Sequence, residues 1–150
     1  MNRIRHTDSI CVQSSYVIHI FPYYDCKCME PKIFVADDDS AIASAIQLIL
    51  ESEDFRVVVA TEGDVTKSIK RNHPDLVLLD IWMSGQDGRD ICKRLKKDVD
   101  TSEIPIILVS ASRDVERSTL EAGADDFIIK PFEMMELIQK VRHYTIKNKS

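Results

Sequence analysis

The chain has no surplus of positive charge, no long apolar run and few cysteines, and each shortage removes a class of function. Its 150 residues carry 20 Lys plus Arg against 25 Asp plus Glu, for a net charge of −5. An acidic chain repels phosphate backbones, so direct binding to nucleic acid is not expected. No stretch approaches the ~20 apolar residues of a membrane-spanning helix, so membrane insertion is not expected either. Four cysteines (Cys11, Cys26, Cys28 and Cys92) are too few for a disulfide scaffold and fit the reducing cytoplasm. Cys26 and Cys28 lack the two-residue spacer and the second ligand pair of a zinc site and read as free thiols. There is also no internal repeat, no low-complexity tract and no long Gly/Ser linker, which leaves no room for a second domain.

Hydrophobic residues make up 44% and charged residues 30% of the chain, enough to bury a core and remain soluble. Residues 1–28 differ in texture from the rest. They hold Tyr16, Tyr23 and Tyr24 and five formal charges: Arg3, Arg5, Asp8, Asp25 and Lys27. Tyr16 to Phe21 is too short for a secretion signal, contains His19 and lacks a small-residue cleavage site. This leader is read as disordered or outside the functional unit, which is expected over 29–150. Three basic and two acidic residues give the leader +1, so the remainder carries −6.

From Lys32 onward, apolar runs alternate with periodic segments. Ile33 to Ala36, Arg56 to Ala60, Leu76 to Leu79, Ile106 to Val109 and Phe127 to Ile129 are continuous and branched, as strands buried on both faces should be. Between and after them, Ile42, Ile46 and Ile49, then Val65 and Ile69, Ile91 and Leu95, and Leu137, Ile138 and Val141 recur at helical spacing. Strict β-α alternation predicts a parallel α/β sheet with helices on both faces, and such sheets bind ligands beyond the carboxyl ends of their strands.

Those ends carry the chemistry. The first strand runs into Asp37-Asp38-Asp39 and the third into Asp80, while Ser110 follows the fourth and Lys130-Pro131 the fifth. Asp39 reads as the N-cap of the first helix. Carboxylates packed so closely repel unless some are protonated or a cation sits among them, and a hard divalent ion, Mg²⁺ above all, suits oxygen ligands. A hydroxyl, an ammonium and a divalent cation converging on one carboxylate make a site for a phosphoryl group.

Residues 32 to about 146 resemble a response-regulator receiver domain of the CheY-like kind. The resemblance rests on Asp37-Asp38, on Asp80 before Gly85 and Asp87-Gly88, on Ser110-Ala111, on Gly123-Ala124-Asp125-Asp126-Phe127 and on Lys130-Pro131-Phe132. It implies a flavodoxin-like five-stranded parallel sheet of order 2-1-3-4-5. It also implies that Asp80 accepts a phosphoryl group from a histidine kinase or a histidine phosphotransfer protein. By the same resemblance, Asp38 and Asp80 bind Mg²⁺ directly, Asp37 acts mostly through water, and the Trp82 backbone carbonyl completes the protein ligands. Lys130 bridges to Asp80, Ser110 moves toward the phosphoryl group, Phe127 turns inward behind it, and a cis peptide precedes Pro131.

Several features depart from the usual pattern. Ser84 stands where relatives usually have Pro. Trp82 is bulky beside the phosphoryl site and is expected to hinder attacking water. The stretch from Ser110 to Gly123 is shorter than in many relatives by about two residues, roughly half a helical turn, so a short or shifted fourth helix is expected. Phe127 lacks the hydroxyl of the tyrosine often found there, which predicts an inward bias before phosphorylation.

Two other readings are open to the residues. Asp37-x-Asp39 resembles the nucleophile and acid/base pair of a haloacid-dehalogenase-like phosphatase, with Asp37 as nucleophile, but no strand-end acidic pair follows Lys130. A receiver-like binding module that is never phosphorylated is the other alternative. About 18 residues follow Phe132, so output is expected to act through a separate protein target, read on the fourth helix, fifth strand and fifth helix.

Overall fold

The structure, a computed structural model, describes residues 30–83, 85–113 and 115–147. The leader over 1–28, with Cys11, Cys26 and Cys28, and Ser84 lie outside the described residues. In chain order the elements are β1 (Lys32–Ala36), α1 (Ser40–Glu51), β2 (Arg56–Ala60), α2 (Val65–Asn72), β3 (Leu76–Asp80), a small hairpin of β4 (Trp82–Met83) and β5 (Gln86–Asp87), α3 (Gly88–Lys97), β6 (Ile106–Ser110), α4 (Val115–Ala122), β7 (Asp126–Ile129) and α5 (Met134–Lys147).

The main sheet is parallel with order β2-β1-β3-β6-β7. Leaving the hairpin aside, this is the expected 2-1-3-4-5 arrangement. Successive residues of a strand face opposite sides, so β1, β3 and β6 feed two cores at once. Phe34, Val77, Leu79 and Leu108 pack with Ile69, Ile91 and Leu95 from α2 and α3 on one face. Ile33, Val35, Leu78 and Ile107 pack with Ile46, Leu50, Leu137 and Val141 from α1 and α5 on the other. Each large side chain removed from water contributes about 1.5–3 kcal/mol, so burial on both faces makes the three central strands the rigid floor of the molecule.

Two expectations about the strands need correction. β2 is not buried on both faces: its first residue is exposed and the other four are half-buried. Among the described residues it lies at the sheet edge, with β1 as a neighbour on one side and no ladder on the other. The third and fourth strands also each run one residue further than expected, to Asp80 and Ser110, because the parallel register pairs Asp80 with Val109 and Ser110 with Ile129. The functional residues are therefore part of the ladder itself.

The helices start where carboxylates cap them. Asp39 Oδ1 accepts from the backbone N–H groups of Ala41 (2.9 Å) and Ile42 (3.2 Å), as expected. Asp64 and Asp87 do the same for α2 and α3. α4 has eight residues, a short crossover helix as the reduced spacing from Ser110 to Gly123 predicted. Among the described residues no helix is long and apolar enough to cross a membrane.

Candidate functional site

The carboxyl ends of β1, β3, β6 and β7 meet at one edge, and the residues singled out from the sequence meet with them. Carboxylate oxygens of Asp37, Asp38 and Asp80 lie within 4.8 Å of one another. Asp37 and Asp80 are buried, while Asp38 reaches solvent. Lys130 Nζ, carried in from the end of β7, donates to Asp37 Oδ2 at 2.7 Å and stands 3.5 Å from Asp80 Oδ1. Asp37 is tied down further because its Oδ1 accepts from the Asp39 backbone N–H at 2.9 Å.

Burial is the largest influence on Asp80 and pushes its carboxyl above the usual value of 3.8. The Lys130 ammonium opposes this, the Asp37 charge adds to it, and a hydrogen bond from the Trp82 backbone N–H lowers it again. The net direction is upward because burial outweighs the opposing ammonium.

Ser110 is fully buried, and its Oγ accepts from the Ser112 backbone N–H at 3.0 Å. The Lys130 backbone N–H donates to the Ser110 carbonyl at 2.7 Å, which fixes the two residues side by side. The bond between Lys130 and Pro131 is cis, as the resemblance implied. Phe127 is half-buried and packs against the core cluster that includes Leu108, Val115 and Ala122, and Lys140 Nζ of α5 lies 5.3 Å from its centroid. The ammonium attracts the ring face toward the sheet edge.

Trp82 opens the β4-β5 hairpin. Its side chain is 64% exposed, and the Arg89 guanidinium lies 5.5 Å from the ring centroid. Arg89 is in turn held by Asp87, to whose carboxylate its Nε donates at 2.9 and 3.0 Å. The indole therefore belongs to the β4-β5 hairpin and the start of α3 as much as to the phosphoryl site.

Three residues with a part in the site were not legible as such. Gly88 opens α3 where it crosses the end of β3: a Cβ there would run into the Asp80 carbonyl oxygen and stand 3.0 Å from Ile81 Cα. The Asp87-Gly88 pair signalled a turn but not this close approach. Nothing in the sequence singled out Arg89 or Lys140, and only the packed helices show which rings they meet.

Beside Lys130 an apolar groove of about 440 Å³ runs between α1 and the β7-α5 connection, lined by Ile42, Ala45, Ile49, Ala111, Pro131 and Phe132. The small residues Ala41, Ser44 and Ala45 of α1 are exposed along this side.

Comparison with known proteins agrees with this geometry. The family model described as "Response regulator receiver domain" matches residues 33–142. The chain is 38% identical over 117 residues to the DNA-binding response regulator MtrA of Mycolicibacterium paratuberculosis, covering 76% of this chain and 51% of that protein. It thus spans about half the length of the curated relatives it matches. A putative response regulator from Chloroflexus aurantiacus superposes with a TM-score of 0.73 at 31% identity, over 78% of this chain and 98% of the other. A CheY-like receiver domain protein from Methanospirillum hungatei gives 0.73 at 27% identity, over 80% and 97%. Motifs, strand order, clustered acids and family match agree: the chain belongs to the response-regulator receiver domain family.

Proposed function

We propose that this chain is the phosphoacceptor switch of a two-component phosphorelay, with Asp80 as the residue phosphorylated. The observation that carries this reading is the convergence of three carboxylates and one ammonium from the ends of β1, β3 and β7 around the buried Asp80 carboxylate. An Asp80 carboxylate oxygen attacks phosphorus in line, the P–N bond of a phosphohistidine breaks, and the imidazole leaves with the electron pair. The donor is a histidine kinase or a histidine phosphotransfer protein. The groove beside Lys130 gives the donor's helix an apolar seat next to Asp80, and the small residues of α1 allow close approach.

The donor set fits Mg²⁺: three carboxylates offer hard oxygens, and burial pushes one of them, Asp80, toward protonation. Asp37, Asp38, Asp80 and the Trp82 backbone carbonyl would hold it. Bound there, the ion neutralises phosphoryl oxygens. Lys130 does the same as a fixed point charge, moving from Asp37 toward the new oxygens. The added charge of roughly −1.5 to −2 draws the Ser110 hydroxyl in. Phe127 turns inward behind it, and the face made by α4, β7 and α5 changes shape for a partner protein. The protein acts on no substrate beyond its own phosphorylation and dephosphorylation. The receiver domain lies within residues 29–150, works in the cytoplasm and binds no nucleic acid itself.

Against the phosphatase reading, no strand-end acidic pair follows Lys130, Asp80 would be idle, and Asp39 Oδ1 serves as the cap of α1. Labelling with acetyl phosphate and Mg²⁺ tests the proposal. Wild type takes up one phosphoryl group and Asp80→Asn takes up none. A wild type that stays unlabelled would instead indicate a silent binding module.

A further inference from the structure

We infer that Lys140 is a positioning residue for the Phe127 switch, holding the ring at the sheet edge until phosphorylation draws it in. This rests on the switch reading above. Lys140 lies on α5, ten residues beyond Lys130, and touches none of the clustered acids. Its Nζ does two things at once: it donates to Asp126 Oδ1 at 2.7 Å and lies 5.3 Å from the centre of the Phe127 ring.

The surroundings make this a clamp rather than a chance contact. The Asp126 carboxylate also accepts from the Phe127 backbone N–H at 2.8 Å, so one oxygen locates both the ammonium and the backbone that carries the ring. Lys140 and Asp126 are only about a quarter exposed, at 26% and 22%, so the pair is screened less than a surface pair. Next to it, Tyr144 Oη donates to the Asp125 carbonyl at 2.9 Å and braces α5 against the start of β7. Asp125 itself holds β6 through the Ile106 backbone N–H and pairs with Lys96. The backbone around the ring is therefore fixed from both sides, and the ring's own torsion is the free coordinate.

Phe127 is half-buried against the core, and on its open side a phenyl ring has no hydroxyl to bond with water, so that side needs another source of attraction. The ammonium supplies it through the quadrupole of the ring face. Removing the ammonium shifts the ring inward, toward the arrangement that accompanies phosphorylation, and linkage then favours phosphoryl uptake. A cation–π contact at such a site biases the equilibrium about two- to fivefold.

The test compares wild type, Lys140→Met, Lys140→Arg and the double variant Lys140→Met with Phe127→Leu. The first readout is the NMR chemical shift and nuclear Overhauser pattern of the Phe127 ring without phosphodonor, which does not depend on whether the chain is ever phosphorylated. Lys140→Met is expected to move the ring toward Ser110 and Leu108, and Lys140→Arg to leave it in place. The second readout is the initial rate of labelling by acetyl phosphate with Mg²⁺. A rise of about two- to fivefold is expected in Lys140→Met, with no such rise when Phe127 is already Leu. A ring unmoved in Lys140→Met overturns the inference, and so does an equal rate change in both Phe127 backgrounds, which would trace the effect to charge alone. Wild type that takes no label while the ring still moves would sink the phosphorelay reading and leave the clamp standing.

Discussion

Lys130 stands closer to Asp37 than to Asp80, at 2.7 Å against 3.5 Å, although Asp80 is the proposed acceptor. The ammonium is thus parked on a neighbouring carboxylate, within reach of the acceptor without being consumed by it. A phosphoryl group arriving on Asp80 brings more negative charge than Asp37 offers, and the lysine can follow it with a small movement.

Loss of that lysine leaves two buried carboxylates without their cation. Lys130→Ala is expected to lower the unfolding free energy at neutral pH by about 3 kcal/mol in the presence of chelator. Millimolar Mg²⁺ should restore part of the loss by placing another cation among the same oxygens. Urea melts with and without the ion check this, and an identical deficit in both would contradict the shared role of the acids.

Burial pushes the Asp80 carboxyl above 3.8, so the folded state favours its protonated form. That contribution to stability is complete below the unfolded value and is lost as pH rises through the raised folded value, leaving the ionised group a net cost at neutral pH. Asp80→Asn should accordingly be more stable than wild type at pH 7 in chelator, by on the order of 1 kcal/mol. The advantage should vanish below about pH 4, where both side chains are neutral. Chemical denaturation across pH 3–8 measures this, and a gain that grew on acidification would show the sign to be wrong.

Gly88 lies where α3 begins against the end of β3, and a Cβ there meets the Asp80 carbonyl oxygen. Gly88→Ala must push apart the helix start and the strand that carries Asp80, and should be destabilising by about 2–3 kcal/mol. Because the displaced backbone is that of the acceptor itself, the labelling rate with acetyl phosphate should fall as well. Retained stability together with full labelling would mean that the loop yields freely.

Trp82 bears on the lifetime of the modified state. Its indole is largely exposed and held by Arg89, yet its backbone N–H reaches the Asp80 carboxylate, so the residue borders the path of incoming water. Trp82→Asn should shorten the phosphoaspartate half-life severalfold, measured by the decay of labelled protein. A half-life unchanged or longer in the variant would refute the shielding role.

Much of the site was legible in the chain because its residues stand at fixed offsets from strands that identify themselves. Ile33 to Ala36 and Leu76 to Leu79 are apolar on both faces, which places Asp37 and Asp80 at strand ends before any coordinates exist. Asp39 as a cap followed from an equally local pattern, whereas the cis bond before Pro131 was implied by the family resemblance. The half-burial of β2 was not legible, since an edge strand and a central strand can share the run Val57-Val58-Val59.

The order of residues determined which groups stand at the carboxyl edge, because side-chain periodicity and strand termination are properties of neighbours in the chain. The choice of Asp37 as the resting partner of Lys130, the collision that reserves position 88 for glycine and the meeting of Lys140 with Phe127 were decided only in three dimensions. Those depend on the packing of helices from separate β-α units, where differences of an ångström determine which charge meets which ring or carboxylate.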